Sequence, residues 1–108
     1  MIPVRESIYP RFPGGKTKVF TLSFDDGVEQ DIRLVSIMKA RGITGTFNLN
    51  SGLFREENAP YSHPLIRRLP QTELVDLFAG SDMEIAVHGM KHPNWTELPP
   101  ETALLDII

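Results

Sequence analysis

Two short segments far apart in the chain carry the residue types of a hydrolytic metal site: Ser23-Phe24-Asp25-Asp26-Gly27 and His88-Gly89-Met90-Lys91-His92-Pro93. The first sets two adjacent carboxylates at the end of an apolar run. The second sets two imidazoles four residues apart, also just after an apolar run. One carboxylate and two imidazoles make a facial ligand set that leaves a position open for water, and the second carboxylate remains free as a base. On this reading Asp26, His88 and His92 ligate one divalent metal ion, and Asp25 is the catalytic base. Neighbouring side chains of an extended chain point to opposite sides, so Asp25 is expected to face the substrate while Asp26 holds the ion. Gly27 lets the backbone turn sharply after the aspartates. Gly89 and Pro93 argue that the two histidines sit on a loop curled around the ion rather than on a helix.

These segments need strands to position them. Val19 to Phe24 is rich in β-formers and closes at Asp25-Asp26-Gly27, which reads as a buried strand and a turn. Asp31 to Arg41 has helical spacing at Ile32, Val35 and Met38, with Leu34 and Ile37 beside them and Gly42 as the stop. Thr44 to Asn50 alternates, with Phe47 and Leu49 on one face and Thr46, Asn48 and Asn50 on the other. Ser51 to Pro70 is a long loop, of the kind that is usually functional or flexible in a compact domain. Thr72 can N-cap a helix through about Ala79, with Leu74, Val75, Leu77 and Phe78 inward. Met83 to Val87 is a third strand ending at His88, and Pro99-Pro100 opens a last helix with Ala103, Leu104 and Ile107 on its apolar face. Residues 1–17 read as an irregular arm and 18–108 as the structured domain. The order β-α-β-α-β-α predicts an α/β fold with parallel strands and crossover helices. Both chemical segments then fall at C-terminal strand ends, the edge where such folds assemble active sites.

Composition narrows the function classes. The 108 residues suffice for one domain with a modest core. The formal charge of -3, with no basic cluster to offset it, argues against nucleic acid as a partner. The one basic doublet, Arg67-Arg68, reads as a solvated helix or loop position. Without cysteine there is neither a disulfide nor a thiolate metal site. No segment approaches a membrane span and the first residues lack a signal-peptide core, so no membrane partner is expected and the default compartment is cytoplasmic. Weaker candidates remain. Asn48 and Asn50 read as polar strand-end residues that could contact substrate, and Trp95 as an apolar wall for a sugar ring or as ordinary packing. His63 reads as a loop histidine.

The residues also resemble a known family. Thr21-Leu22-Ser23-Phe24-Asp25-Asp26-Gly27 resembles the first motif of the polysaccharide deacetylases, the carbohydrate esterase type that includes the rhizobial chitooligosaccharide deacetylases. His88-Gly89-Met90-Lys91-His92-Pro93 resembles their second, His-(Ser/Thr)-x-x-His-Pro. Gly42-Ile43-Thr44-Gly45-Thr46-Phe47 and Met83-Glu84-Ile85-Ala86-Val87-His88 resemble the strands between and before them. The similarity covers about residues 18–108. It implies a distorted (β/α) barrel of which this chain is the N-terminal portion, and a metal-dependent hydrolase removing N- or O-acetyl groups from a carbohydrate. By it Asp26, His88 and His92 carry over as ligands of a divalent ion, zinc first, and Asp25 as general base. Cobalt, nickel or iron also suit two imidazoles and a carboxylate.

Two departures stand out. Gly89 replaces the Ser or Thr whose hydroxyl helps hold the metal loop in the family, and a looser loop is expected. The family's later motifs, including its catalytic acid histidine, would lie beyond Ile108. A whole (β/α) barrel takes about 250 residues. Three parallel strands cannot close, so an open edge and part of an apolar sheet face are expected to be covered by the remainder of a longer protein or by self-association. The rival reading is a non-catalytic half-barrel that binds a metal or glycan, or packs against a partner. A third, an amidohydrolase, lacks the paired-histidine strand motif that would open it.

Overall fold

The computed structural model describes residues 8–107. The first seven residues of the expected arm, and Ile108, lie outside the described residues. Three short strands, β1 (Ser23–Asp25), β2 (Thr46–Leu49) and β3 (Glu84–Val87), form one parallel sheet in that spatial order. Helix α1 (Gln30–Ala40) connects β1 to β2, α2 (Gln71–Phe78) lies between β2 and β3, and α3 (Pro100–Ile107) follows β3. Among the described residues no helix is long and apolar enough to cross a membrane.

The register separates two faces. Phe24 pairs with Phe47 and Phe47 with Ile85; one residue on, Asp25 pairs with Asn48 and Asn48 with Ala86. Period-two alternation therefore collects Phe24, Phe47, Leu49, Ile85 and Val87 on one face and Ser23, Asp25, Thr46, Asn48 and Glu84 on the other. The apolar face carries the core. Phe47 is fully buried between Phe24 and Phe78, with ring centroids 5.3 and 4.9 Å away. Val35 and Met38 of α1, Leu77 and Phe78 of α2, and Met83 close around it. The opposite face is polar and internally bonded: Asn48 Nδ2 donates to Ser23 Oγ at 2.8 Å, and Thr46 Oγ1 donates to the Glu84 carboxylate.

Part of the apolar sheet face is open at the β3 edge, where Ile85 and Val87 are 48% and 70% exposed. Several other expectations need correction. The first strand begins at Ser23, not Val19, and Phe20 is 84% exposed. A β-former needs a paired backbone, and among the described residues before Ser23 only the Leu22 carbonyl joins the ladder, accepting from the Thr46 N–H at 2.9 Å. Ile32, Ile37 and Val75 point outward, because a three-stranded sheet gives each short helix only one narrow stripe to cover. Thr72 does not cap α2: Pro70 stands at the cap position, and the Thr72 hydroxyl donates to Glu57 Oε1 at 2.7 Å.

Asp31, in the first turn of α1, is buried and its Oδ2 accepts the Val28 N–H at 3.1 Å. Burial pushes its carboxyl above the ordinary value of 3.8, the Val28 hydrogen bond pulls it back, and the nearby charge of Asp26 adds to the rise. The folded chain therefore keeps this proton to a higher pH than the unfolded chain. Stability attributable to Asp31 is full below the unfolded value and falls as pH rises through the folded one. Asp31→Asn keeps an acceptor for Val28 and should flatten that part of the stability–pH curve in urea unfolding; a slope equal to wild type refutes the assignment.

Candidate metal centre

The aspartate segment is shaped by a backbone reversal directly after β1. Asp26 donates its N–H to the Asn48 carbonyl at 3.0 Å and then takes a left-handed conformation, φ 80°. Aspartate tolerates this region better than most side chains. Gly27 follows at φ 66°, and a Cβ there would lie 3.1 Å from Leu49 Cδ2 and 3.3 Å from Leu74. The turn thus requires glycine for both conformation and space. A segment of the long loop then crosses it: the Leu69 N–H donates to the Gly27 carbonyl at 3.0 Å, and Glu29 N–H to the Arg67 carbonyl at 2.8 Å.

The histidine segment leaves β3 in the same direction. The His88 N–H donates to the Leu49 carbonyl at 3.0 Å, after which Gly89 and His92 take φ of 75° and 55°. These two reversals make the expected loop and bring the rings of His88 and His92 to 4.7 Å, edge to face. Asn50, 3% exposed, holds the loop's start: its Nδ2 donates to the carbonyls of His88 at 2.6 Å and Gly89 at 3.2 Å.

Together these turns place Asp26, His88 and His92 in one cluster, with one ligand-type atom from each lying within 4.8 Å of the others. Asp26 Oδ1 is 3.5 Å from Nε2 of each histidine. Asp26 Oδ1 and His88 Nε2 are both buried, and neither has a hydrogen-bond partner among the described residues. Asp25 is more open. Asn48 Nδ2 donates to its Oδ1 at 2.9 Å, and its Oδ2 lies 3.9 Å from His88 Nε2. The two carboxylates therefore do not diverge as an extended chain would make them. The left-handed Asp26 swings its side chain back, and both approach the same imidazole.

Trp95 opens a short 3-10 turn, Trp95–Glu97, and with His88, His92 and Pro93 lines a cavity of about 140 Å³ beside the cluster. A larger cleft of about 410 Å³, lined by Glu29, Gln30, Pro64, Leu65 and Arg67, shares none of these residues. His63 stands apart: its Nδ1 accepts the N–H groups of Leu65 and Ile66, which knots the long loop on itself.

Arg68 was not legible as a site residue. Only Arg67 behaves as the solvated member of the doublet, in an exposed pair with Glu29 at 3.5 Å. Arg68 Nη1 donates to the Asp26 carbonyl at 3.0 Å and to Asn50 Oδ1 at 2.8 Å, while Nη2 lies 3.6 Å from Asp26 Oδ1. One guanidinium thus ties the aspartate turn to the asparagine that holds the histidine loop. No spacing in the sequence marks it; the signal that existed was a long loop with an arginine at its return to the sheet.

A family model described as polysaccharide deacetylase matches residues 13–107. The chain belongs to the polysaccharide deacetylase family. No curated protein and no solved structure matches it. Membership places this domain with the carbohydrate deacetylases, hydrolases acting on amide bonds, and its three parallel strands alternating with helices are a partial (β/α) barrel unit. Both family-like motifs lie at the C-terminal ends of strands in this deacetylase domain.

Arg68→Met should leave the Asp26 carbonyl and Asn50 Oδ1 without their donor and cost about 1–3 kcal/mol in urea unfolding. Arg67→Ala, on the surface, should stay within about 0.5 kcal/mol. Equal effects of the two substitutions would contradict the different roles given to them.

Proposed function

We propose that this domain is a metal-dependent carbohydrate deacetylase in which Asp26, His88 and His92 hold one divalent cation, zinc in the first instance, and Asp25 is the general base. The observation that carries the reading is a pair of buried atoms that make no hydrogen bond among the described residues, Asp26 Oδ1 and His88 Nε2, facing each other at 3.5 Å. Buried polar atoms are nearly always satisfied, and two lone-pair donors turned together ask for a cation. Tetrahedral zinc, with bonds of about 2.0–2.1 Å, spaces its ligand atoms by about 3.3 Å, close to the separation found here. The residues present fit the ion.

A bound cation supplies Lewis acidity, drawing electron density from a carbonyl oxygen and lowering the pKa of water. The chain's own residues do the rest. Asn48 fixes the Asp25 carboxylate through Oδ1 and leaves Oδ2 turned toward the cluster. In that position Oδ2 accepts the proton of the water that attacks the acetyl carbonyl. Arg68 and Asn50 keep the aspartate turn and the histidine loop together. The Trp95 ring, 41% exposed and beside His88 and His92, offers an apolar wall for a pyranose ring of the acetylated substrate.

Metal analysis of the purified chain by mass spectrometry should find close to one zinc or similar ion, lost in His88→Ala/His92→Ala and in Asp26→Asn. Asp25→Asn should keep the metal and lower deacetylation of an acetylated chitooligosaccharide by roughly 10²–10⁴-fold. Metal bound without deacetylation would turn the reading to a binding module, and turnover indifferent to Asp25→Asn would remove Asp25 as the base. No metal after zinc is supplied would end it.

A further inference from the structure

The histidine loop is held from a second side, by a residue to which no motif points. Asp106 stands in the last turn of α3 and makes three hydrogen bonds into the segment around His92. Its backbone carbonyl accepts the Met90 N–H at 2.8 Å, its Oδ1 accepts the Lys91 N–H at 2.8 Å, and its Oδ2 accepts the Trp95 indole N–H at 3.0 Å. A carboxylate at a helix C-terminus is electrostatically unfavourable, since the exposed carbonyls there already carry partial negative charge. Its presence asks for a compensating role, and the two N–H groups on the carboxylate supply one.

Gly89 makes room for this arrangement. A Cβ at Gly89 would collide with the Asp106 carboxylate and lie 2.9 Å from Trp95 Cζ2. The position between His88 and the rest of the loop therefore cannot carry a hydroxyl side chain while Asp106 is seated. A carboxylate reaching in from α3 occupies the space that a side chain at Gly89 would take.

We propose that Asp106 is the positioning residue of the histidine loop, fixing His92 and the Trp95 ring from α3, and that the bare Cα of Gly89 leaves the room it needs. The proposal rests on the metal reading of Asp26, His88 and His92. Asp106 touches neither the ion nor the substrate in this scheme. It acts through the backbone of Met90 and Lys91, immediately before His92, and through the indole that walls the cavity.

The test measures zinc affinity of the full chain by competition with a chromophoric chelator, together with Trp95 emission and amide hydrogen exchange. Trp95 is the only tryptophan, so the emission reports the surroundings of this one indole. Asp106→Ala should weaken zinc binding by about 10- to 100-fold, the range typical of residues that orient metal ligands. It should also shift Trp95 emission and speed exchange at Lys91. Asp106→Asn, which can accept from only one of the two donors at once, should fall between and serves if the alanine variant does not fold. Gly89→Ser should weaken binding strongly with Asp106 in place and much less in the Asp106→Ala background, a coupling that a purely conformational cost at Gly89 would not give. Wild-type zinc affinity in Asp106→Ala, or additive effects of the two substitutions, would overturn the proposal while leaving the metal reading intact. If the wild-type chain takes no zinc, the metal reading fails, and unchanged Lys91 exchange in metal-free Asp106→Ala overturns the latch itself.

Discussion

The two chemistry-bearing segments leave strands that are not neighbours. β2 lies between β1 and β3, so their ends are separated by two strand spacings, about 9.5 Å. A straight continuation of either strand would leave its carboxylate and imidazole too far apart to share anything. The rest of the site follows from closing that gap. Asp26 bends over the end of β2 with φ 80°, and the histidine loop bends toward it through left-handed residues at Gly89 and His92. β2 contributes the struts. Asn48 reaches to the β1 side and Asn50 to the β3 side, and the strand's end carbonyls accept both the Asp26 and the His88 N–H.

This explains why Asn48 of β2, and Asn50 just past its end, are structural members of the site. Alternation puts Phe47 and Leu49 into the core and leaves Asn48 and Asn50 free to serve the neighbouring strands. Asn50 is buried, yet it is satisfied on both ends of its amide, by two loop carbonyls and by Arg68. A buried amide with every partner in place fixes one arrangement, whereas a half-satisfied one would favour an opened turn.

Local patterns made much of this legible. The alternation of Phe47 and Leu49 with Asn48 and Asn50, the helical spacing of Val35 and Met38, and the two motifs all report short-range geometry that survives in the fold. The failures have a common cause. Val19 and Phe20 have the intrinsic preference for a strand but no strand to pair with, and Val75 has the apolar spacing of α2 but stays largely exposed; tertiary context decides such cases. The divergence expected of Asp25 and Asp26 assumed an extended backbone where the chain had already turned. Arg68 and Asp106 belong to segments with no motif of their own. They are placed by a loop and a helix whose return to the sheet edge is a property of the whole fold.

The chain distance between the two segments has a thermodynamic side. From Asp26 to His88 the backbone encloses on the order of 60 residues, a loop whose closure alone is entropically costly. An ion gripped at both ends of that loop would act as a reversible cross-link, favouring compact conformations in proportion to its occupancy. The end of β1, the end of β3 and the loop that crosses the Gly27 turn would then melt together when the ion is present and separately when it is withdrawn. Cooperativity of unfolding in this domain would in that case be set by cation concentration as much as by its small apolar core.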